Sequence, residues 1–266
     1  MLKIDASARV AEGARLADDV EIGPFCTVGP KVELAAGVRL ISHVVVTGST
    51  SIGPRTIVYP FVSLGTPPQS VHYHGGDTRL VIGADCQLRE GFTANIGTED
   101  GGGVTRIGDG CFFMVNSHIA HDCKVGNHVT FANNVVIAGH VSVGDHVVFG
   151  GQAAVRQFVR IGRGVMIAGL TGIRADVIPW SIVEGRKGHL AGLNVVGMTR
   201  RGFSRDEIRE LRRAYQRIFF GDDPFRARVE AMHAEGTDHA PLVAEVLDFI
   251  RAAKGPVTFA SKLTEK

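Results

Sequence analysis

The chain has 266 residues, enough for one repeat domain with a small appended domain. A formal net charge of +2 and a hydrophobic content of 44% leave ample material for a core. They argue against a strongly basic nucleic-acid binder and against an acidic tail protein. The sequence has no long apolar run, and its N-terminus, MLKIDASARV, lacks the apolar stretch of a signal peptide, so we expect a cytoplasmic protein without a transmembrane segment.

Most of the chain repeats with a period of six residues. An apolar residue occupies every sixth position from Ile4 to Leu64, and again from Ile107 to Ile173. Neither a helix, with a period of 3.6, nor a strand, with a period of 2, produces this repeat. The pattern predicts short strands joined by corners, with three sides to each coil. Residues three repeats apart should therefore stack on one another.

Two other positions of the repeat fit such a coil. The position four after the apolar residue is small in nearly every repeat, which predicts two inward residues per repeat and a narrow core. All four cysteines occupy that small position, so we expect core residues and neither disulfides nor metal ligands: Cys26, Cys86, Cys111 and Cys123. The position after the apolar residue is often glycine, and we expect these glycines to supply the positive φ of tight corners.

Two loops interrupt the repeat. The first is near 65–80 and contains two prolines and two adjacent glycines. The second is near 95–103, after which the repeat restarts one residue out of phase at Ile107. Long loops in a compact repeat fold are more often functional than accidental, so both are candidate parts of a site.

The repeat ends near Pro179, and the sequence becomes helical beyond about residue 187. We therefore predict a β-helix over residues 1–186 and a helical domain over residues 187–266. Ser204 and Glu207 form a capping box for a helix that Gly221 and Pro224 end. A further helix is predicted over residues 240–253.

The candidate chemistry lies among the histidines. His121 should project outward beside Asp122, and His140 should lie one coil above Asp122, about 4.8 Å away. A carboxylate fixes the tautomer of an imidazole and raises its basicity, so His121 is a candidate general base. A surface ladder of histidines explains the same spacing, as it does for His128 and His146.

A zinc site at the H-x-x-H of His118 and His121 is a second interpretation. Residues three apart on a strand point to opposite sides, and no third ligand is evident. We therefore expect no metal site. Two further candidates are a zinc hydratase on a similar prism and a non-catalytic β-helix, such as an ice-binding or scaffold protein. The outward residues are irregular and charged, unlike the regular threonine or serine ladders of the latter.

Four segments carry a resemblance: NSHIAHDCKVGN (116–127), ANNVVIAGHVSVGD (132–145), GGQAAVRQF (150–158) and GMTRRGFSR (197–205). Together they resemble the UDP-N-acetylglucosamine O-acyltransferases of lipid A biosynthesis, a family of hexapeptide-repeat acyltransferases. The resemblance covers essentially the whole chain. It implies a mainly β protein, a left-handed parallel β-helix with a C-terminal α-helical domain, assembled as a homotrimer with active sites between subunits.

The resemblance also implies a reaction. His121 would take the proton of the 3-hydroxyl of the sugar nucleotide, which attacks a 3-hydroxyacyl thioester on acyl carrier protein. Asp122 would orient His121, and the Gly139 N–H would stabilise the oxyanion. No metal or other cofactor is implied, since the acyl donor is the phosphopantetheine thioester of the carrier protein. The remaining matched residues would contact substrates: Gln69, His72, His118, His140, Arg156, Gln157, Gly169, Asn194, Arg200 and Arg201.

Two of these residues and one surface carry more specific expectations. Gly169 matches the position that limits acyl length, and a glycine leaves that groove open for a longer chain. Adjacent Arg200 and Arg201 suit phosphate binding. Residues 200–217 contain seven arginines and three acids, a basic face that suits an acidic carrier protein. A solvated helix surface is the alternative explanation for Arg209 through Arg217.

The chain departs from the family pattern at positions around the sugar and nucleotide. Ser70 replaces the usual aspartate, His72 the usual lysine, Arg156 and Lys187 histidines, and Val196 a glutamate. The proposed base and its carboxylate are unchanged. Two acceptors stay open, because some relatives acylate a 3-amino analogue of the sugar and form an amide.

Overall fold

The computed structural model describes residues 1–235 and 240–260. Before the first loop the strands are β1 (Lys3–Ile4), β2 (Arg9–Val10), β3 (Arg15–Leu16), β4 (Glu21–Ile22), β5 (Thr27–Val28), β6 (Val32–Leu34), β7 (Arg39–Leu40), β8 (Val45–Val46), β9 (Ser49–Ile52), β10 (Ile57–Val58) and β11 (Ser63–Thr66). Between the loops lie β12 (Arg79–Ile82), β13 (Gln87–Leu88) and β14 (Thr93–Asn95).

The repeat then continues through β15 (Val104–Ile107), β16 (Phe112–Phe113), β17 (His118–Ile119), β18 (Lys124–Val125), β19 (Thr130–Phe131), β20 (Val136–Ile137), β21 (Ser142–Val143), β22 (Val148–Phe149), β23 (Ala154–Val155), β24 (Arg160–Ile161), β25 (Met166–Ile167) and β26 (Gly172–Ile173). A hairpin of β27 (Ser181–Glu184) and β28 (His189–Leu193) ends the sheet structure.

The strands form three sheets of 11, 9 and 8 members, which are the three sides of a parallel β-helix. Each strand generally pairs with the strand three places further along the chain, and Thr130 faces Val148, three repeats on. The predicted stacking of residues three repeats apart is therefore confirmed. Only β27 and β28 pair in antiparallel fashion among the described strands.

Strand register also explains the two interruptions. Ile57 faces Gln87, a whole number of repeats further along the chain, so the first loop leaves the phase of the repeat unchanged. Gln87 faces Phe112, which lies one position beyond a whole number of repeats. The predicted phase shift after the second loop is confirmed.

The core is the narrow interior of the coil. From Val20 onward the repeating apolar residues and the residues four positions later are buried, whereas Ile4 in the first coil is 44% exposed. All four cysteines are free and buried, as predicted. Four phenylalanines stack within the interior with ring centroids 4.6 to 5.0 Å apart: Phe92, Phe113, Phe131 and Phe149. The predicted stacking of His128 and His146 is also confirmed, with parallel rings 5.0 Å apart.

The expected role of the repeat glycines is wrong. Apart from Gly65, the glycines that follow the apolar residue, such as Gly53 and Gly126, do not have positive φ. A Cβ on Gly53 would lie 2.5 Å from the carbonyl carbon of Gly83 in the next coil, so these glycines permit close approach of backbones. Positive φ occurs further along the corner, often at residues with side chains, as at Asp122 and His140.

Four helices follow the coil within residues 1–235 and 240–260: α1 (Val195–Arg200), α2 (Arg205–Phe220), α3 (Phe225–Ala234) and α4 (Pro241–Arg251). The predicted capping box at Ser204 and Glu207 is present. Helix α3 was not predicted; it contains His233, whereas His239 lies outside the described residues. The predicted boundary at residues 186 and 187 falls in the turn between β27 and β28. No helix in the described ranges is long and apolar enough to cross a membrane.

Candidate active site

A histidine and a buried carboxylate meet at the corner that follows β17. The Nδ1 of His121 lies 2.8 Å from Oδ2 of Asp122, and the Asp122 side chain is fully buried. A carboxylate accepts hydrogen bonds, so in the neutral ring of His121 the proton lies on Nδ1 and Nε2 has a free lone pair. In this arrangement His121 can act as a base and Asp122 can orient its ring.

The second loop builds the environment of this carboxylate. Thr98 donates its hydroxyl to Asp122 over 2.6 Å and its backbone N–H to both carboxylate oxygens at 3.1 Å. Gly101 packs so closely that a Cβ would lie 2.2 Å from the carboxyl carbon. From the other side, the Thr105 hydroxyl accepts the N–H of Asp122 at 2.8 Å. These contacts hold the carboxylate in one orientation.

His140 lies above this pair, as its spacing from Asp122 predicted. Its Nε2 is 4.0 Å from Oδ2 of Asp122, and its backbone N–H donates to the His121 carbonyl over 3.0 Å. The His140 ring meets His121 edge-on at 5.1 Å and stacks on Phe158 at 4.4 Å. Burial lowers the pKa of His140, which favours the neutral ring at pH 7.

His118 lies on the strand that leads to the corner. Its Nδ1 is 2.8 Å from the hydroxyl oxygen of Thr93. Burial, reinforced by nearby His121, lowers the pKa of His118. His118 is therefore a second neutral imidazole beside the candidate base.

The metal-ligand geometry differs from the H-x-x-H interpretation. In the part of the chain that the structure describes, the one group of three potential ligands is His121, Asp122 and His140, with ligand atoms within 4.8 Å. His118 is not in it. Both oxygens of Asp122 already accept hydrogen bonds from Thr98, and one accepts from His121. This arrangement fits a hydrogen-bonded carboxylate and imidazole better than a metal ligand set.

Gly139 lies against the free edge of the imidazole. A Cβ at this position would be 2.6 Å from Cε1 and 2.7 Å from Nε2 of His121. Its carbonyl accepts the N–H of Phe158 at 3.2 Å, while its own N–H donates to no acceptor among the described residues. A backbone donor is thus available beside the atom that would accept a proton.

The two loops join next to this corner. Gly76 of the first loop donates its N–H to Glu99 of the second over 2.6 Å. The Asn95 amide holds the start of the first loop through the hydroxyl and carbonyl of Thr66. Gln69 and His72 are exposed on that first loop. The first loop therefore adjoins the second loop, whose Thr98 donates hydrogen bonds to Asp122.

The other predicted residues lie higher on the coil. Arg156 and Gln157 are exposed at the corner before Phe158. Gly169 packs on the next coil below, where a Cβ would lie 3.2 Å from the Gly151 carbonyl oxygen. Position 169 therefore faces another glycine, and little side-chain volume occupies this part of the surface.

Asn194 and the paired arginines lie around α1. Asn194 caps α1 by accepting the Gly197 N–H at 2.9 Å and anchors it by donating to the Gly164 carbonyl over 2.8 Å. Arg201 donates to the Gly197 carbonyl over 3.2 Å, and Arg200 is exposed. No hydrogen bond within the described ranges joins these three residues to His121. Gly164, which anchors Asn194, follows Phe158 by one repeat and so lies on a different side of the coil from His121.

Sequence reasoning missed Thr98 and Phe158. Thr98 is separated from Asp122 by 24 residues across the phase shift, so no repeat rule connects them. Phe158 lies one full coil after His140, and the stacking rule that placed His140 over Asp122 would have found it.

Family models and curated relatives identify the same protein family. Residues 176–257 match the family model described as UDP N-acetylglucosamine O-acyltransferase, domain 2, and residues 105–139 match the bacterial transferase hexapeptide model. The chain is 60% identical over 249 residues to the acyl-[acyl-carrier-protein]–UDP-N-acetylglucosamine O-acyltransferase of Azorhizobium caulinodans, covering 94% of this chain and 92% of that protein. The protein of the same name from Rhizobium johnstonii is 49% identical with the same coverage.

Solved structures agree with this result. A crystal structure of a UDP-N-acetylglucosamine acyltransferase superposes with a TM-score of 0.94 at 38% identity, covering 97% of this chain and 99% of that chain. The Campylobacter jejuni enzyme superposes with a TM-score of 0.90 at 35% identity and the same coverage. The expected fold class, a left-handed parallel β-helix with C-terminal helices, is confirmed. The chain is an acyltransferase and belongs to the UDP-N-acetylglucosamine O-acyltransferase family.

Proposed function

We propose that this acyltransferase moves a 3-hydroxyacyl chain from acyl carrier protein to the 3-hydroxyl of UDP-N-acetylglucosamine, the first step of lipid A biosynthesis. The observation that carries the proposal is the 2.8 Å contact between His121 and a fully buried Asp122. The names of the relatives supply the substrates, since they act on acyl carrier protein and UDP-N-acetylglucosamine.

In the proposed mechanism, Nε2 of His121 takes the proton of the sugar 3-hydroxyl as its oxygen attacks the thioester carbonyl carbon. The tetrahedral oxyanion receives a hydrogen bond from the Gly139 N–H. The carbon–sulfur bond then breaks, and the imidazolium returns its proton to the leaving thiolate. Asp122 stabilises the imidazolium between the two proton transfers. General base catalysis contributes roughly 10²–10⁴-fold to such rates, and one oxyanion donor roughly 10²–10³-fold.

The surrounding residues have supporting roles in this proposal. His118 and His140 stay neutral because burial lowers the pKa of each, so they contribute hydrogen bonds without repelling the imidazolium of His121. The open surface at Gly169 suits a longer acyl chain. The reaction proceeds without a metal or other cofactor in the enzyme.

We also propose that the chain works as a homotrimer in the cytoplasm. Asn194, Arg200 and Arg201 lie on α1 and at its two ends. Asn194 anchors α1 at Gly164, which follows Phe158 by one repeat of six residues and so lies on a different side of the coil from His121. These three residues would bind the nucleotide or the pantetheine arm at a site that contains His121. One subunit must then provide His121, and a neighbouring subunit must provide the three residues around α1. Size measurement in solution and mixed trimers of two inactive variants test this arrangement.

The alternative acceptor is the 3-amino analogue of the sugar nucleotide, which would give an amide product. This candidate remains because the chain departs from the family pattern around the sugar, at Ser70 and His72 in the first loop and at Arg156 beside Gln157. Initial rates on the two acceptors with the same 3-hydroxyacyl carrier protein separate them. We expect the hydroxyl sugar to be preferred, and a strong preference for the amino sugar would replace the proposed acceptor while leaving the acyl transfer intact.

A further inference from the structure

Glu245 on α4 contacts the wall of the coil. Its carboxylate accepts hydrogen bonds from Nε and Nη2 of Arg163 over 2.5 and 2.8 Å, and from the indole N–H of Trp180 over 3.1 Å. Arg163 also lies over the Trp180 ring, 5.1 Å from its centroid. Trp180 is 1% exposed, so its indole N–H depends on a protein acceptor. A residue of the helical domain therefore supplies the hydrogen-bond partner of a buried residue of the coil.

Trp180 in turn holds α1 against the coil. Its carbonyl accepts the N–H of Asn194 at 2.7 Å, and the Asn194 side chain caps α1 at Gly197. The indole ring packs on Gly164, where a Cβ would lie 2.1 Å from Cε3 of the ring, and the Gly164 carbonyl accepts the amide of Asn194 over 2.8 Å. The ring also meets Phe203, just beyond α1, edge-on at 5.0 Å. One tryptophan thus contacts the residues that fix both ends of α1.

The link between Glu245 and α1 passes through the Trp180 side chain. Without the carboxylate, the indole N–H would be a buried donor without an acceptor, which is unfavourable. The ring regains a hydrogen bond only by turning towards water, and it then leaves Gly164 and Phe203. The packing that supports Asn194 is lost with it. Removal of Glu245 should therefore loosen α1, although the two do not touch through any hydrogen bond between described residues.

A separate set of contacts attaches α4 to the coil. Arg160 donates to the Phe249 carbonyl over 2.8 Å and lies 4.3 Å above the centroid of the Phe249 ring. The same guanidinium donates to the Asp176 carboxylate over 2.7 Å. Because these contacts do not involve Glu245, α4 should stay in place when Glu245 is replaced. The role of Glu245 towards Trp180 is therefore separable from the attachment of the helical domain.

We propose that Glu245 is a positioning residue for substrate binding, which acts through Trp180 on α1. This inference rests on the proposed function, in which residues at α1 contact a substrate. Glu245 touches neither the substrate nor the reacting atoms. It fixes the place of α1 before a substrate arrives, and such preorganisation lowers the cost of binding. Because His121 lies on a different side of the coil, Glu245 should affect substrate binding and leave the chemical step unchanged.

The position of α1 is measured first, on the enzyme without substrates. In Glu245→Ala, amide hydrogen exchange of residues 194–203 should be about tenfold faster than in the wild type, while residues 116–127 exchange as before. Trp180 is the one tryptophan of the sequence, so its emission maximum reports the ring directly and should move to longer wavelength. Asp248→Ala is the matched control, because Asp248 is exposed on the same helix and forms no ion pair with another described residue. Unchanged exchange and emission in Glu245→Ala would overturn the proposal.

Steady-state kinetics then separate positioning from a general loss of structure. Glu245→Ala should raise the KM of UDP-N-acetylglucosamine or of the acyl carrier protein donor about tenfold and keep kcat within about twofold, the pattern of lost uniform binding. Glu245→Gln retains an oxygen acceptor for Trp180 and should restore most of the KM. Trp180→Phe keeps a ring but removes the N–H, so it should raise the same KM as Glu245→Ala.

Two kinetic results would overturn the proposal. One is a fall in kcat at unchanged KM, which would assign Glu245 to the chemical step or to the fold as a whole. The other is faster exchange of α1 without a change in either KM, since the position of α1 would then have no effect on binding. If the wild type does not use UDP-N-acetylglucosamine, the proposed acceptor is wrong, whereas faster exchange and a raised KM for the donor with another acceptor still support the role of Glu245.

Discussion

Thr98 donates its hydroxyl to Asp122 over 2.6 Å, and this hydrogen bond joins an inserted loop to the carboxylate that orients the candidate base. The insertion that shifts the repeat by one residue therefore has a structural role at the site. Without it, Asp122 would lose three of its hydrogen bonds while remaining in the wall of the coil.

Thr98→Val tests this contact. The substitution keeps the shape of the side chain but removes the hydroxyl donor, so the carboxylate loses one hydrogen bond while the two from the backbone N–H persist. We expect kcat to fall about tenfold, with little change in KM for the sugar nucleotide. Thr98→Ser retains the donor and should keep most of the rate, whereas equal losses in both variants would assign the effect to packing.

Gly139→Ala tests the close approach of backbone and imidazole. The new Cβ would lie within 2.7 Å of Nε2 of His121, so the ring must move away from the position of a reacting hydroxyl. We expect a loss of at least about a hundredfold in kcat/KM, comparable to removal of an oxyanion donor. Gly29→Ala is the matched control, because its Cβ would make only ordinary contacts at 3.4 Å. Similar activity in the two variants would contradict the placement of Gly139 at the reacting atoms.

The two histidines beside the base predict a pH dependence of stability. Burial lowers the pKa of His118 and His140 below the reference of about 6.5, so below that pH the unfolded chain binds protons that the folded chain does not. The free energy of unfolding should therefore fall as the pH drops from 7.5 through 6.5 towards the lowered folded pKa values. Denaturant midpoints at pH 7.5 and 5.5 measure it. His118→Gln should show a smaller difference between the two midpoints, and an unchanged difference would contradict the burial argument.

Gly169→Met tests the acyl groove. A Cβ at position 169 would lie 3.2 Å from the Gly151 carbonyl oxygen and would meet only the backbone of that residue, so the methionine side chain would extend into the open surface. We expect rates with long 3-hydroxyacyl donors to fall at least tenfold, while short donors are used as well as before or better. An equal loss of rate with short and long acyl donors would contradict the prediction that position 169 limits acyl length.

The six-residue period predicted the coil, the inward cysteines and the stacking of His140 over Asp122, because these depend only on phase. It did not predict Thr98, since the contact crosses a loop whose path the period does not describe. The sequence predicted positive φ at the repeat glycines, whereas the structure shows close approach of backbones in adjacent coils. A sequence shows where a side chain is absent, but not which backbone of the next coil lies against that position. Helix α3 was not predicted, because residues 225–234 lack both an N-terminal side-chain cap and a strong apolar face.

The most direct test of His121 as the general base is the turnover of UDP-N-acetylglucosamine with 3-hydroxyacyl carrier protein by two single-histidine variants. His121→Ala removes the imidazole that Asp122 orients, and kcat/KM should fall by roughly 10²–10⁴-fold or more. His128→Ala removes an exposed, stacked histidine of the same repeat and should stay within about twofold of the wild type. Near-full activity of His121→Ala, with the same fold and assembly as the wild type, would contradict the assignment of the base.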